Sequence, residues 1–128
     1  MDNLILKKDI ILQTPCFLLD EVELGKGIQG FYESLSKRFR HCCIGYSVKT
    51  NSLPYAIAKA KKCGCFAEVV SDDELDLALA CGYNHNEIIF NGPMKSKECF
   101  LKAIESGAIV NIETHREIEW LRCLPSNK

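Results

Sequence analysis

The sequence predicts an α/β fold of about four parallel strand–helix units, preceded by a strand and a long amphipathic helix. Three observations carry this. Apolar runs ending at Lys49, Ser71, Gly92 and Thr114 fall 22, 21 and 22 residues apart, a near-constant period expected of repeated units. Each run leads into a helix-start signal and an apolar pattern of helical spacing. Glycines at 64, 82 and 107 close the first three of those helices. Two layouts satisfy the pattern: an open doubly wound sheet, or the opening half of a (β/α)8 TIM-type barrel. Nothing after the first strand resembles G-x-G-x-x-G or G-x-x-x-x-G-K-S/T, which counts against a nucleotide-binding open sheet. A full barrel needs ~250 residues, so this chain holds about half of one.

Residues 1–13 read as an N-terminal extension, and 14–128 as the half barrel. Thr14–Asp20 is an extended run opened by Pro15. Asp20 and Glu23 make a helix start, an acceptor followed three residues later by an acid. Leu24, Ile28, Phe31, Leu35 and Phe39 then form one apolar stripe, predicting a helix of about five turns. Cys42–Asn51 reads as a buried strand, and Ser52 with Pro54 opens the next helix. Residues 66–71, 88–92 and 109–114 are the remaining strands. Ser71 with Glu74, Ser96, and Thr114 with Glu117 open the helices that follow them.

With 47% hydrophobic and 26% charged residues in 128, the chain has the composition of a globular domain. Sixteen basic against seventeen acidic residues leave no basic stripe for nucleic acid. No run is apolar for long enough to span a bilayer, and the start lacks signal-peptide order, so a cytoplasmic location is expected. Eight cysteines show no C-x-x-C pairing, and the histidines at 41, 85 and 115 fall in no ligand motif. Reduced, packed thiols are expected, with no metal.

The chemistry centres on Lys49. Strand alternation puts Cys43, Gly45, Ser47 and Lys49 on one face, and Ile44, Tyr46 and Val48 on the other. A strand-end amine above small neighbours has room for a flat ligand, and a desolvated amine can attack a carbonyl. The ordinary alternative is a lysine reaching out to solvent.

Thr14–Asp20, Tyr46–Asn51, Glu68–Leu75 and Ile89–Ser96 resemble, in order and at family spacing, four signatures of the pyridoxal-phosphate-dependent ornithine/diaminopimelate/arginine decarboxylases. That family shares its barrel with alanine racemase. The resemblance runs from about residue 12 and covers only the N-terminal part of the barrel domain.

The resemblance implies pyridoxal 5'-phosphate as cofactor, with Lys49 joined to it as a Schiff base, and decarboxylation of a basic or diamino amino acid. Glu68 stands where the family has an aspartate near the cofactor ring, and it shares a strand face with Phe66 and Val70. Ser71 and Asn51 match cofactor-side positions, though a helix cap accounts for Ser71, as it does for Glu74, and a turn for Asn51. Lys95 matches a family lysine and reads by default as a solvated loop residue. His115 reads as exposed in a first helical turn, and Trp120 as a packing residue.

In full-length members the glycine-rich phosphate segment, the acid that pairs with the pyridinium nitrogen and a second, β-rich domain that completes a homodimeric site lie beyond the counterpart of residue 128. This chain is therefore expected to be a catalytically incomplete form. A half barrel also leaves two strand edges unpaired and its inner face uncovered. A racemase-like barrel protein, or a non-catalytic regulator binding decarboxylase subunits, are the alternatives. The Glu68–Leu75 stretch favours the decarboxylase branch.

Overall fold

A computed structural model describes residue 15 and residues 17–125. Helix α1 (Glu21–Ser36) begins where Asp20 Oδ1 accepts from the amides of Val22 and Glu23, at 2.9 and 3.0 Å. Four strands and four helices then alternate: β1 (Gly45–Ser47), α2 (Pro54–Lys62), β2 (Phe66–Val69), α3 (Asp72–Ala80), β3 (Ile88–Phe90), α4 (Lys97–Glu105), β4 (Ile109–Val110) and α5 (His115–Leu121). The helix starts are chemically specified. Ser71, Ser96 and Thr114 accept the amides of Glu74, Cys99 and Glu117, each at 3.2 Å, and Pro54 opens α2. At Thr114 the capping box with Glu117 is complete, as the sequence predicts. At Ser71 the acid reaches one residue further back, Glu74 Oε2 accepting from Val70 N at 3.0 Å.

All four strands are parallel and lie in the order β1-β2-β3-β4. A doubly wound sheet reverses its order at a switch point; this one runs on in sequence, as barrel strands do. Alternation along the strands divides two environments. Ala67, Val69, Ile88 and Phe90 are fully buried and meet Ile57, Leu75, Ala78 and Ala103 from the helices. Phe66, Glu68, Val70, Ile89 and Asn91 point the other way and are only half-buried. The uncovered face is the inner face of a barrel segment, and it curls. A Cβ built on Gly45 of β1 would lie 3.2 Å from Ile89 Cδ1 of β3, a contact across the strand between them. In barrels, alternate strands share a layer in this way.

Several expectations change. The four strands are shorter than the sequence suggests, and the first ends at Ser47: Val48–Thr50 form a single 3-10 turn. The run at 14–20 lies partly outside the described residues, and Phe17–Asp20 belong to no strand and are exposed. An extended segment needs a neighbour for its backbone groups, and no strand among the described residues pairs with them. Helix α1 stops at Ser36, short of Phe39, and its stripe is only part-covered: Phe31 and Phe39 are exposed. Its tie to α2 is made near its start, through Glu21 to Lys59 at 2.8 Å and to the Tyr55 hydroxyl. Residues 1–13 lie outside the described part of the chain. The seven described cysteines are unpaired, with Cys65 buried and Cys43 and Cys123 exposed. Among the described residues no helix is long and apolar enough to cross a membrane.

Candidate functional site

The C-terminal tips of the strands surround an open cavity of about 570 Å³. Lys49 enters it from the turn after β1, Glu68 from β2 and Val70 from its end, Asn91 to Met94 from the end of β3, and Asn111 and Glu113 from the end of β4. This is where a (β/α)8 barrel carries its chemistry. Clefts of about 390 and 460 Å³ beside α1 contain none of these strand-tip residues.

Lys49 lines the cavity on the side that strand alternation gives it, although the chain there is no longer a strand. It leaves from the 3-10 turn, whose neighbour Val48 is buried in the core and acts as an anchor. Thr50 Oγ1 donates to Ser47 O at 2.7 Å, and the Tyr46 hydroxyl donates to Asn51 O at 3.0 Å, so both ends of the turn are pinned. Lys49 is exposed, and among the described residues it has no ion-pair partner. Lys49 lines the cavity, but the described residues do not enclose it.

Glu68 does lie on the inner face, as its strand position predicts. Its Oε1 accepts from Asn91 Nδ2 at 2.7 Å, and Asn91 Oδ1 accepts from Asn111 Nδ2 at 2.6 Å. One carboxylate and two amides thus run in a row across β2, β3 and β4. Gly92 closes the loop after β3 with φ +84°, and a Cβ there would collide with the Val70 carbonyl. Its amide donates to Glu113 Oε1 at 2.7 Å.

Ser71 and Asn51 do not line the cavity. Ser71 Oγ caps α3, and Asn51 Oδ1 accepts from Leu53 N at 3.2 Å, a turn contact that shapes the approach to α2. His115 is exposed, and Trp120 packs edge-on against Phe100, 5.6 Å between ring centroids. Lys95 overturns its default reading. It is 2% exposed, and its Nζ lies 3.1 Å from Glu117 Oε1.

Sequence reasoning assigned no role to Asn91, Asn111 or Glu113. Two-residue alternation onward from Ile89 and Ile109 would have placed all three beside Glu68. For a flat aldehyde cofactor the described residues fit: an amine with no ion-pair partner among them and a carboxylate held by an amide, in one open cavity.

The sequence pattern of the family described as "Pyridoxal-dependent decarboxylase, pyridoxal binding domain" matches residues 26–127. A probable chloroplastic diaminopimelate decarboxylase of Oryza sativa subsp. japonica is 32% identical over 107 residues, 84% of this chain and 21% of that protein. Diaminopimelate decarboxylase of Aquifex aeolicus is 30% identical over 91 residues, 70% of this chain and 22% of that one. A crystal structure of a Helicobacter pylori diaminopimelate decarboxylase variant with L-lysine superposes at a TM-score of 0.76. It has 24% identity and covers 88% of this chain and 28% of its own. The chain spans about a quarter of the length of the relatives it matches. Together with the sequential parallel sheet, the likeness identifies the fold as part of a (β/α)8 barrel. The chain belongs to the pyridoxal-dependent decarboxylase family and carries the N-terminal part of its pyridoxal-binding barrel domain.

Proposed function

We propose that Lys49 is the point at which pyridoxal phosphate attaches covalently, in a protein of the type that decarboxylates a diamino acid such as diaminopimelate. The observation that carries this reading is that Lys49, with no ion-pair partner among the described residues, lines the same cavity as Glu68, Asn91, Asn111 and Glu113, at the strand tips of a barrel segment. When bound, the cofactor supplies an electron sink for the pair left behind as carbon dioxide departs. The chain's own residues orient it. Lys49 would hold the group by condensing its amine with the aldehyde, with loss of water. Glu68, its carboxylate fixed by Asn91, would present negative charge to a cationic part of the bound group. Glu113 and Glu68 together give the cavity an acidic wall suited to a substrate with a second ammonium group.

The diamino-acid class is favoured because similar proteins carry the diaminopimelate decarboxylase name. The inner face above the cavity is uncovered and Lys49 is exposed, so these 128 residues alone do not exclude water from the reacting atoms. We therefore assign the isolated chain cofactor attachment without efficient turnover. The test is gel filtration with pyridoxal phosphate, followed by release of labelled carbon dioxide from carboxyl-labelled meso-diaminopimelate. Wild type should retain cofactor, Lys49→Ala should not, and neither should release carbon dioxide at ordinary enzymatic rates. Equal retention by Lys49→Ala overturns the attachment site; ordinary turnover by the isolated chain overturns its incompleteness.

A further inference from the structure

The Lys95–Glu117 pair has more partners than a helix cap requires. Neither side chain is exposed, and the charges lie 3.1 Å apart. A buried ion pair stabilises little unless its remaining donors and acceptors are met, and apolar residues of similar size often do as well. Here they are met by backbone. Lys95 Nζ donates to Gly92 O as well as to Glu117 Oε1. Glu117 Oε2 accepts from Glu113 N at 2.7 Å and Thr114 N at 2.9 Å. Gly92 N in turn donates to Glu113 Oε1.

These contacts close a circuit. The loop after β3 is tied to Lys95, Lys95 to Glu117, Glu117 to the backbone of the loop after β4, and Glu113 back to Gly92. Both loops wall the cavity, whereas Lys95 and Glu117 lie behind it and do not line it. Capping α5 needs Glu117 to reach only Thr114 N; the arms to Glu113 N and Lys95 go beyond a cap.

We propose that Lys95 and Glu117 are positioning residues that fix the two loops relative to each other and so set the shape of the cavity wall facing a cofactor held at Lys49. The inference rests on the Lys49 reading for its ligand, but the loop coupling itself does not depend on it. Two variants test it: Lys95→Met, which strands a buried carboxylate, and the double variant Lys95→Met with Glu117→Leu, which removes both charges. Each is measured by urea unfolding, by residue-resolved amide exchange and by the Kd for pyridoxal phosphate.

The double variant should still unfold cooperatively, with a midpoint lowered by the lost backbone contacts, while exchange at Gly92, Glu113 and Thr114 quickens and the Kd rises, each by about tenfold. Lys95→Met should show the same local exchange with a lower midpoint. A pair that merely fills space predicts that the double variant recovers wild-type exchange and wild-type Kd together, and that result overturns the proposal. Failure of the double variant to fold also overturns it, since the pair would then hold the fold rather than the loops. If wild type binds no cofactor at Lys49, the attachment reading fails, and the exchange data alone decide the coupling.

Discussion

Asn91 donates its side-chain amide to Glu68 Oε1 at 2.7 Å and accepts from Asn111 Nδ2 at 2.6 Å, so it stands between the two at the strand tips. Truncating it leaves the half-buried Glu68 carboxylate without its amide donor, whereas the exposed Asn111 amide can turn to water. Asn91→Ala should cost about 1 kcal/mol in urea unfolding and weaken retention of pyridoxal phosphate severalfold. Asn91→Asp should be worse than alanine, because it sets a second negative charge against Glu68. An aspartate variant as stable as wild type would remove this role from Asn91.

Gly92 and Gly64 make a controlled pair. Both have positive φ, but a Cβ on Gly92 meets the Val70 backbone, whereas one on Gly64 meets nothing within 4 Å. Gly64→Ala should cost about 1 kcal/mol for its backbone conformation alone, and Gly92→Ala at least about 2 kcal/mol. Chemical denaturation of the two variants side by side checks the ranking; equal costs would contradict it.

Phe90 is fully buried on the helix side of β3, within the core that also holds Ile57, Val69 and Leu75. Phe90→Ala should destabilise by about 3–5 kcal/mol. Its ring also lies 5.6 Å below Lys95 Nζ, so the same variant should loosen the loop that begins at Asn91. Denaturant midpoints measure the first effect and amide exchange at Gly92 the second.

Burial pushes the Glu117 carboxyl up, but hydrogen bonds from the Glu113 amide, Lys95 and the Thr114 amide outweigh it and hold the group below its ordinary 4.5. The unfolded chain therefore binds the proton more readily than the folded one. Stability from this group is complete above about pH 4.5 and is lost as pH falls through the lowered native value. Glu21, held low by Lys59 and Tyr55, and Glu87, held low by Lys61 and the Asn84 amide, act in the same direction. Urea midpoints taken from about pH 6 to about pH 3 should fall for wild type and fall less steeply for Glu117→Gln. An unchanged slope in that variant would contradict the assignment.

The repeat of strands and helices was legible because each boundary is written in local chemistry: Ser71, Ser96 and Thr114 as caps, Pro54 at a helix start, glycines after helix ends. The side of the sheet that Glu68 faces was legible too, since Phe66, Glu68 and Val70 alternate with Ala67 and Val69. What escaped depends on the third dimension. The strand before Lys49 is shorter than its alternation suggests, because the chain turns after Ser47, although buried Val48 and cavity-lining Lys49 keep the sides that alternation gives them. Lys95 looked like a solvated loop residue because nothing within its own motif pairs with it; its partner, Glu117, lies 22 residues away on the next helix. The run before α1 carries a strand's composition without a described neighbour to pair with, and composition alone cannot supply one.

The central claim is that one amine of the chain's twelve lysines is set apart by its position at the strand tips. Borohydride reduction after incubation with substoichiometric pyridoxal phosphate, followed by peptide mass mapping, tests it most directly. Phosphopyridoxyl label should concentrate on Lys49, with exposed lysines such as Lys26 and Lys97 nearly unlabelled. Label spread over the surface lysines, or absent from Lys49, would contradict it.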